Sequence, residues 1–161
     1  MDIRADWAKI KNHFRRSFST SLHYSFSSVD EDNNPTTTPI GSLFLNNDQT
    51  GFYFEKYPRN LPKNSKHNKS ICVLAVNSSK WFWIKALFKV KFENYPAIKL
   101  YGTLSEKRQA TDEEIRALQR RMRKSKRLQG HKYLWSNMDT VRDITFTNAE
   151  LINLGKMTKD L

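Results

Sequence analysis

The stretch PTTTPIGSLFLNNDQTGFYFEKYPRNLPKN, residues 35–64, decides the fold of this chain. Two segments of β-prone residues, 40–45 and 52–54, flank the turn-forming sequence NNDQTG of residues 46–51. Asparagine, aspartate and glycine between two apolar arms are typical of a β-hairpin. The sequence therefore predicts two antiparallel strands here.

The second arm of this hairpin continues into a basic segment, residues 55–64 with the sequence EKYPRNLPKN. Two prolines stiffen it, and Lys56, Arg59 and Lys63 supply three positive charges. Arginine and lysine bind phosphate through both charge and hydrogen bonds, so this segment is a candidate anion site beside a sheet. The alternative is a solvated loop, which is what most charge runs are.

The first arm carries two residues that are unusual inside a strand. Pro39 has no amide donor, which restricts its strand to an edge or a bulge, and Gly41 has no side chain, which lets a flat ligand approach the backbone. The alternative reading is that both residues relieve strain where a barrel turns a corner.

The segments on either side predict further elements of a mainly β fold. Trp7, Ile10 and Phe14 lie three and four residues apart and predict a helix over 6–18. Alternation over 22–26 predicts a strand, the apolar run 70–77 a central strand covered on both faces, and 97–105 another strand with Gly102 at a bulge. Residues 141–146 predict a last strand, with 151–154 as a short addition.

Residues 81–88, WFWIKALF, are compatible with a strand or a short helix. Four aromatic side chains in eight residues are too many for one face of a monomer, and they suggest contact with a second subunit. Thr111 and Glu114 have the spacing of a capping box and begin a basic helix expected over 111–128. Its arginines and lysines indicate either a solvated surface helix or, less favoured, a nucleic-acid-binding arm.

Composition limits the classes of function. A chain of 161 residues with 38% hydrophobic residues supports one domain, residues 1–161, and its net charge of +12 favours anionic partners. The single cysteine, Cys72, excludes an intramolecular disulfide, and no stretch predicts a membrane span, so we expect a cytoplasmic protein. The four histidines lack metal-ligand spacing, and no glycine-rich phosphate loop is present.

Several short runs, taken in order, resemble the pyridoxamine 5'-phosphate oxidase-like proteins with an FMN-binding split barrel. The runs are VDEDNNP at 29–35, PIGSLFL at 39–45, GFYFEK at 51–56, LPKN at 61–64 and ICVLA at 71–75. This resemblance covers residues 20–105, and it extends more loosely to Trp135 and Arg142. It implies a six-stranded Greek-key split β-barrel with peripheral helices (barrel residues 20–105 and 140–155), a homodimer, and FMN bound where the subunits meet.

Carried over by position, the resemblance implies a set of cofactor-binding residues. The backbone of Ile40, Gly41 and Ser42 would lie along the flavin ring, Glu55 and Lys56 would flank the ring or the ribityl chain, and Lys63 with Asn64 would face the phosphate. Trp135 and Arg142 would reach the flavin from the partner subunit. No side chain is assigned a catalytic role.

Two departures separate this chain from true pyridoxamine 5'-phosphate oxidases. Asn60-Leu61 stands where those enzymes have an Arg-Lys pair, and Thr38-Pro39-Ile40 stands where their second strand begins with arginine. The sequence therefore predicts an FMN-dependent oxidoreductase of unknown substrate. The alternatives are a non-enzymatic protein that holds flavin, deazaflavin or haem for storage or sensing and, less favoured, a nucleic-acid-binding protein.

Overall fold

The computed structural model describes residues 1–123 and 129–161, and within these residues the strands form one antiparallel sheet of seven in the order β2-β1-β5-β6-β7-β4-β3. Helices flank the sheet. The strands are β1 Tyr24–Val29, β2 Pro35–Ile40, β3 Leu43–Leu45, β4 Thr50–Phe54, β5 Ser70–Val76, β6 Ala97–Gln109 and β7 Thr140–Leu151. The helices are α1 Trp7–Ser21, α2 Asn60–Asn64, α3 Lys80–Lys89, α4 Asp112–Met122 and α5 Gln129–Trp135, followed by a 3₁₀ turn at Gly155–Thr158.

The two edges of the sheet are consecutive in the chain, and this makes the sheet curl. β2 is one edge and β3 is the other, yet only Gly41 and Ser42 separate them. Consecutive Cα atoms are about 3.8 Å apart, so the two edges must meet at this point. The resemblance implied six strands, and the structure has seven because the second strand is interrupted at Gly41-Ser42. The edge position of Pro39 is confirmed.

The inside of the curled sheet holds the main hydrophobic core. The predicted face of α1 is confirmed, since Trp7, Ile10 and Phe14 are all buried against the strands. They pack with Phe26 and Tyr53, among others. Each fully buried side chain of this size contributes about 1.5–3 kcal/mol to stability, so α1 is an integral part of the barrel.

A second hydrophobic cluster lies on the outer face of the sheet beneath α4. Phe52 and Phe54 point to this face because side chains alternate along a strand, and Leu118 and Met122 of α4 pack on them. The predicted capping box is present: the backbone N–H of Glu114 donates to Thr111 Oγ1, and the backbone N–H of Thr111 donates to Glu114. The end of the predicted basic helix, residues 124–128, lies outside the described residues.

Strands β5, β6 and β7 differ from the predictions in burial or in length. β5 was expected to be covered on both faces, but its burial alternates, so only one face belongs to the core. β6 and β7 are longer than predicted, and residue 151 ends β7 instead of beginning a separate strand. The bulge at Gly102 is confirmed by a shift in the β6–β7 register between Tyr101 and Gly102.

The ambiguous segment 81–88 is helical. Ser79 begins α3, with the backbone N–H of Phe82 donating to its hydroxyl, and Val90 ends it in a left-handed conformation. Phe82 and Trp83 pack against Phe92, while Trp81 and Phe88 are 80% and 87% exposed. Within the described part of the chain, none of the helices has the length and apolar character needed to cross a membrane.

Candidate functional site

The junction between the two edge strands forms the centre of the candidate site. Ile40 is buried in the core and pairs with Tyr24 across β1 and β2. A Cβ atom built on Gly41 would lie 3.0 Å from the carbonyl oxygen of Leu22 and 3.3 Å from the Trp135 ring. Within one subunit, the close approach predicted at Gly41 is therefore made by the chain's own backbone and by Trp135.

Ser42 fixes this junction to the hairpin strand β4. Its hydroxyl donates to the carbonyl oxygen of Phe54 at 3.1 Å and accepts from the backbone N–H of Phe54 at 3.2 Å. The side chain is buried. The Ser42 hydroxyl thus takes the place of a backbone partner for Phe54 where β2 ends and β3 begins. These two hydrogen bonds hold the junction beside the end of β4.

Glu55 and Arg142 form a buried ion pair next to this junction. Arg142 donates from Nε to Glu55 Oε2 at 2.8 Å and from Nη2 to Oε1 at 3.0 Å, and Nη1 donates to the Ser105 carbonyl at 2.8 Å. The Tyr53 hydroxyl donates to Glu55 Oε2 at 2.6 Å. Tyr53 and Arg142 are directly opposite in the β4–β7 register, and Glu55 is two residues from Tyr53 on the same face.

These contacts set the ionisation of the cluster. Burial opposes ionisation of Glu55, but hydrogen bonds from Arg142 and Tyr53 outweigh it, so the pKa of Glu55 is below its ordinary value. The hydrogen bond to Glu55 raises the pKa of Arg142, and burial raises the pKa of Tyr53. Glu55 and Arg142 are therefore charged at neutral pH, and within one subunit their polar atoms are engaged with each other.

The basic segment after β4 holds α5, the helix that carries Trp135. Lys56 Nζ donates to the Ser136 carbonyl at 2.5 Å, and the Tyr57 hydroxyl donates to the Tyr133 carbonyl at 2.6 Å. The rings of Tyr57 and Tyr133 stack with centroids 6.4 Å apart. Lys56 is thus placed at the same end of the barrel as Gly41 and Trp135.

Lys63 and Asn64 belong to α2, and Asn64 contacts the end of β2 that is far from the Gly41 junction. The Asn64 amide is buried and donates to Ser28 Oγ and Thr36 Oγ1, both at 2.9 Å, so its two N–H groups are used within the chain. Lys63 is exposed and pairs with Glu31 at 3.2 Å. Thr36 and Gly41 are five residues apart, about 16 Å along a strand, so the two groups border an elongated surface.

The predicted site residues therefore fall into two neighbouring groups. The first combines the junction with Glu55, Lys56, Trp135 and Arg142, and the second consists of Lys63 and Asn64. Among the residues that the structure describes, no carboxylate forms an ion pair with Lys56 or Arg59, and both side chains are exposed.

Sequence reasoning missed Tyr53 as part of the polar cluster. Tyr53 has the pattern of a core aromatic residue, and its ring is indeed buried in the main core, but its hydroxyl also donates to Glu55. The signal was its spacing, because alternation places residues 53 and 55 of one strand on the same face. The acceptor role of the Ser105 carbonyl had no comparable signal, since it depends on the irregularity in the β6–β7 register between Leu104 and Lys107.

No family model matches this sequence, and no curated protein is similar enough to count as a relative. Solved structures with the same fold do exist. An FMN-binding protein from Syntrophomonas wolfei superposes with a TM-score of 0.59 at 13% identity, over 96% of this chain and 97% of its own.

A candidate pyridoxamine 5'-phosphate oxidase from Lactobacillus delbrueckii has a TM-score of 0.51 at 15% identity, covering 87% of this chain and 91% of its own. The haem storage protein HutZ from Vibrio cholerae has a TM-score of 0.54 at 9% identity, covering 89% and 92%. Identities this low speak for the fold alone. This chain has the fold of the pyridoxamine 5'-phosphate oxidase-like split-barrel proteins.

Proposed function

We propose that this chain is an FMN-binding flavoprotein and that it acts as an oxidoreductase on a small-molecule substrate. The observation that carries the proposal is the surface described above, which joins a strand junction at Gly41 to exposed cations after β4. A flavin mononucleotide is a planar ring joined to a phosphate by a flexible chain. The ring would lie along the backbone of residues 40–42, and the phosphate would lie near Arg59 and Lys63.

The polar cluster beneath this surface supplies rigidity. Glu55 and Arg142 connect β4 to β7, while Lys56 and Tyr57 hold α5, so both walls of the junction are fixed before a ligand arrives. Fixed walls lower the ordering cost of binding. The redox chemistry would be that of the flavin, and the protein's part is to bind, orient and tune it.

A second copy of the chain completes the proposed site. The resemblance implies FMN at a subunit boundary, with Trp135 and Arg142 contributed by the partner. In one subunit Arg142 is committed to Glu55, and Trp135 lies beside Gly41 of the same chain but is partly exposed. Of the two residues, Trp135 is therefore the one with surface left for a second subunit. The exposed apolar side chains of α3 favour self-association as well, because monomeric proteins rarely leave such residues together in water.

The test is an FMN titration of the purified protein followed by absorbance and flavin fluorescence. Arg59→Gln combined with Lys63→Gln removes the proposed phosphate contacts. We expect a loss of affinity of roughly tenfold or more, since a hydrogen bond to a charged group contributes about 1.5–3 kcal/mol. Lys66→Gln is the matched control, because Lys66 is an exposed cation of the same loop.

An unchanged spectrum on addition of FMN would contradict the proposal. If the double variant and the control lose the same FMN affinity, the ligand is attracted by the overall positive charge of the protein and not by Arg59 and Lys63. If FMN does bind at this site, turnover with NADH or NADPH and an electron acceptor would support an enzyme and not a storage protein.

A haem-holding protein is the second candidate function, because HutZ, a haem storage protein, has the same fold. Haem iron usually takes a histidine, cysteine, methionine or tyrosine ligand. His13 of α1 is buried, and its ring nitrogen Nε2 is already hydrogen-bonded to the Ala75 carbonyl of β5. Addition of haemin followed by absorbance separates the candidates, since a sharp haem band without flavin binding would favour storage.

A further inference from the structure

A large cleft lies between α1, the β3–β4 hairpin and the end of α4. Its volume is about 780 Å³. We refer to it as the α1 cleft. Its apolar wall is formed by Trp7, Phe14, Phe18, Tyr24, Leu43 and Leu45.

The charges that line the α1 cleft are all positive. Arg4, Lys11, Arg15 and Arg121 face it, and among the residues that the structure describes no aspartate or glutamate does. Within residues 1–123 and 129–161, none of these four cations forms an ion pair with a carboxylate. Two acidic residues close in sequence are engaged elsewhere, since Asp6 pairs with Lys9 and Asp48 accepts from Thr50. Asp2 accepts from the backbone N–H groups of Arg4 and Ala5.

Arg121 is partly buried and is held by aromatic and backbone contacts. Its guanidinium carbon lies 3.5 Å from the ring centroid of Phe44 and 4.8 Å from that of Phe18, and the group donates to the Leu43 carbonyl. Burial lowers the pKa of Arg121 to about 10, so the group is still charged at neutral pH. A half-buried cation without a carboxylate partner is costly, and an anion in the cleft would offset that cost.

The Arg121 guanidinium therefore lies over two aromatic rings and is also held by a backbone carbonyl. A guanidinium has five N–H donors, and the carbonyl of Leu43 occupies one of its nitrogens. A carboxylate can accept two parallel hydrogen bonds from such a fork. Lys11 is fixed in turn by a hydrogen bond to Asn47, which joins α1 to the hairpin across the cleft.

We propose that the α1 cleft binds an amphipathic carboxylate, with its anionic head at Arg121 and its apolar body against the aromatic wall of α1. An acyl chain or an aromatic ring would contact Phe18 and Leu45, which are the partly exposed members of the apolar wall. The site adjoins the proposed flavin surface, since Leu43 follows Ser42 and Tyr24 pairs with Ile40, but its cations are different residues. The proposal does not depend on flavin binding. Its ligand is either a substrate of the proposed flavoprotein or an effector, and both share this chemistry.

The experiment uses dodecanoate as the probe and measures its binding to the full chain by calorimetry. Arg121→Gln should weaken binding at least tenfold. Arg120→Gln should change it less than twofold, because Arg120 is an exposed cation on the same helix. Dodecanol, which keeps the chain and lacks the charge, should bind at least tenfold more weakly than dodecanoate.

Circular dichroism establishes that each variant is folded. If Arg121→Gln does not fold, Lys11→Gln combined with Arg15→Gln takes its place, and the same tenfold loss is expected. Failure of the wild-type chain to bind dodecanoate overturns the proposal, and so do equal losses in the Arg120 and Arg121 variants.

FMN serves as the competitor that separates the two sites. Dodecanoate affinity should be unchanged when FMN is saturating. Displacement of dodecanoate by FMN, together with loss of FMN binding in the Arg121 variant, would overturn the carboxylate site and move the flavin into the α1 cleft.

Discussion

Arg142 and Glu55 face each other across strands β4 and β7 and hold each other through two hydrogen bonds of 2.8 and 3.0 Å. Both residues are almost fully buried, with Arg142 7% and Glu55 6% exposed. A charge taken out of water requires a partner of opposite sign, so neither residue can be removed alone without leaving the other uncompensated.

Glu55→Gln should therefore destabilise the protein strongly. We expect a loss of about 3–5 kcal/mol in the free energy of unfolding, because Arg142 would remain charged and buried. Urea denaturation followed by circular dichroism measures this loss. Glu106→Gln is the control: its pair with Lys69 is exposed to water, so removing it should cost at most about 1 kcal/mol. Equal losses in both variants would contradict the assigned role of the buried pair.

The same pair should make stability depend on pH. The pKa of Glu55 is lower in the folded chain than its ordinary value of 4.5, so ionised Glu55 favours folding. This contribution is fully present above pH 4.5 and is lost as the pH falls through the lowered pKa. The stability difference between wild type and Glu55→Gln should therefore shrink when urea denaturation is repeated at decreasing pH. A difference that stays constant down to pH 3 or below, about one unit beneath the ordinary pKa of a glutamate, would argue against the shift.

Gly102 should tolerate no side chain. A Cβ atom there would lie 2.5 Å from the carbonyl oxygen of Thr145, and backbone on the neighbouring strand cannot move away cheaply. Gly102→Ala should cost about 1–3 kcal/mol. Gly130 is the matched control, because a Cβ there meets nothing within 4 Å and alanine favours a helix over glycine by about 1 kcal/mol. Thermal unfolding should show opposite shifts for the two variants.

The outer face of α3 should mediate self-association. Trp81, Leu87 and Phe88 are exposed on it, at 80%, 66% and 87%. Trp81→Ser combined with Phe88→Ser should shift the chain toward the monomer in sedimentation equilibrium without changing its fold. Lys80→Ser is the control, because it removes an exposed side chain at the start of the same helix without removing apolar surface. A wild-type chain that is monomeric at all concentrations would refute the prediction.

The sequence by itself determined the elements that depend on residues close together in the chain. The α1 face, the hairpin of residues 43–54, the capping box of Thr111 and Glu114, and the bulge at Gly102 all follow from spacing, turn residues or the absence of a side chain. The family resemblance named the fold, and structures of the same fold agree with it. Residues 81–88 stayed ambiguous because short apolar runs fit either a strand or a helix.

Only the tertiary structure decided which charges meet. Glu55 and Arg142 are 87 residues apart, and Arg121 reaches the Leu43 carbonyl across 78 residues, so no local pattern links them. The sequence marked Glu55 and Arg142 as residues for a ligand, whereas the fold turns them toward each other inside the barrel. The sequence shows where the cations are in the chain. The curl of the sheet, which closes at Gly41-Ser42, determines which of them meet a partner and which remain available to a ligand.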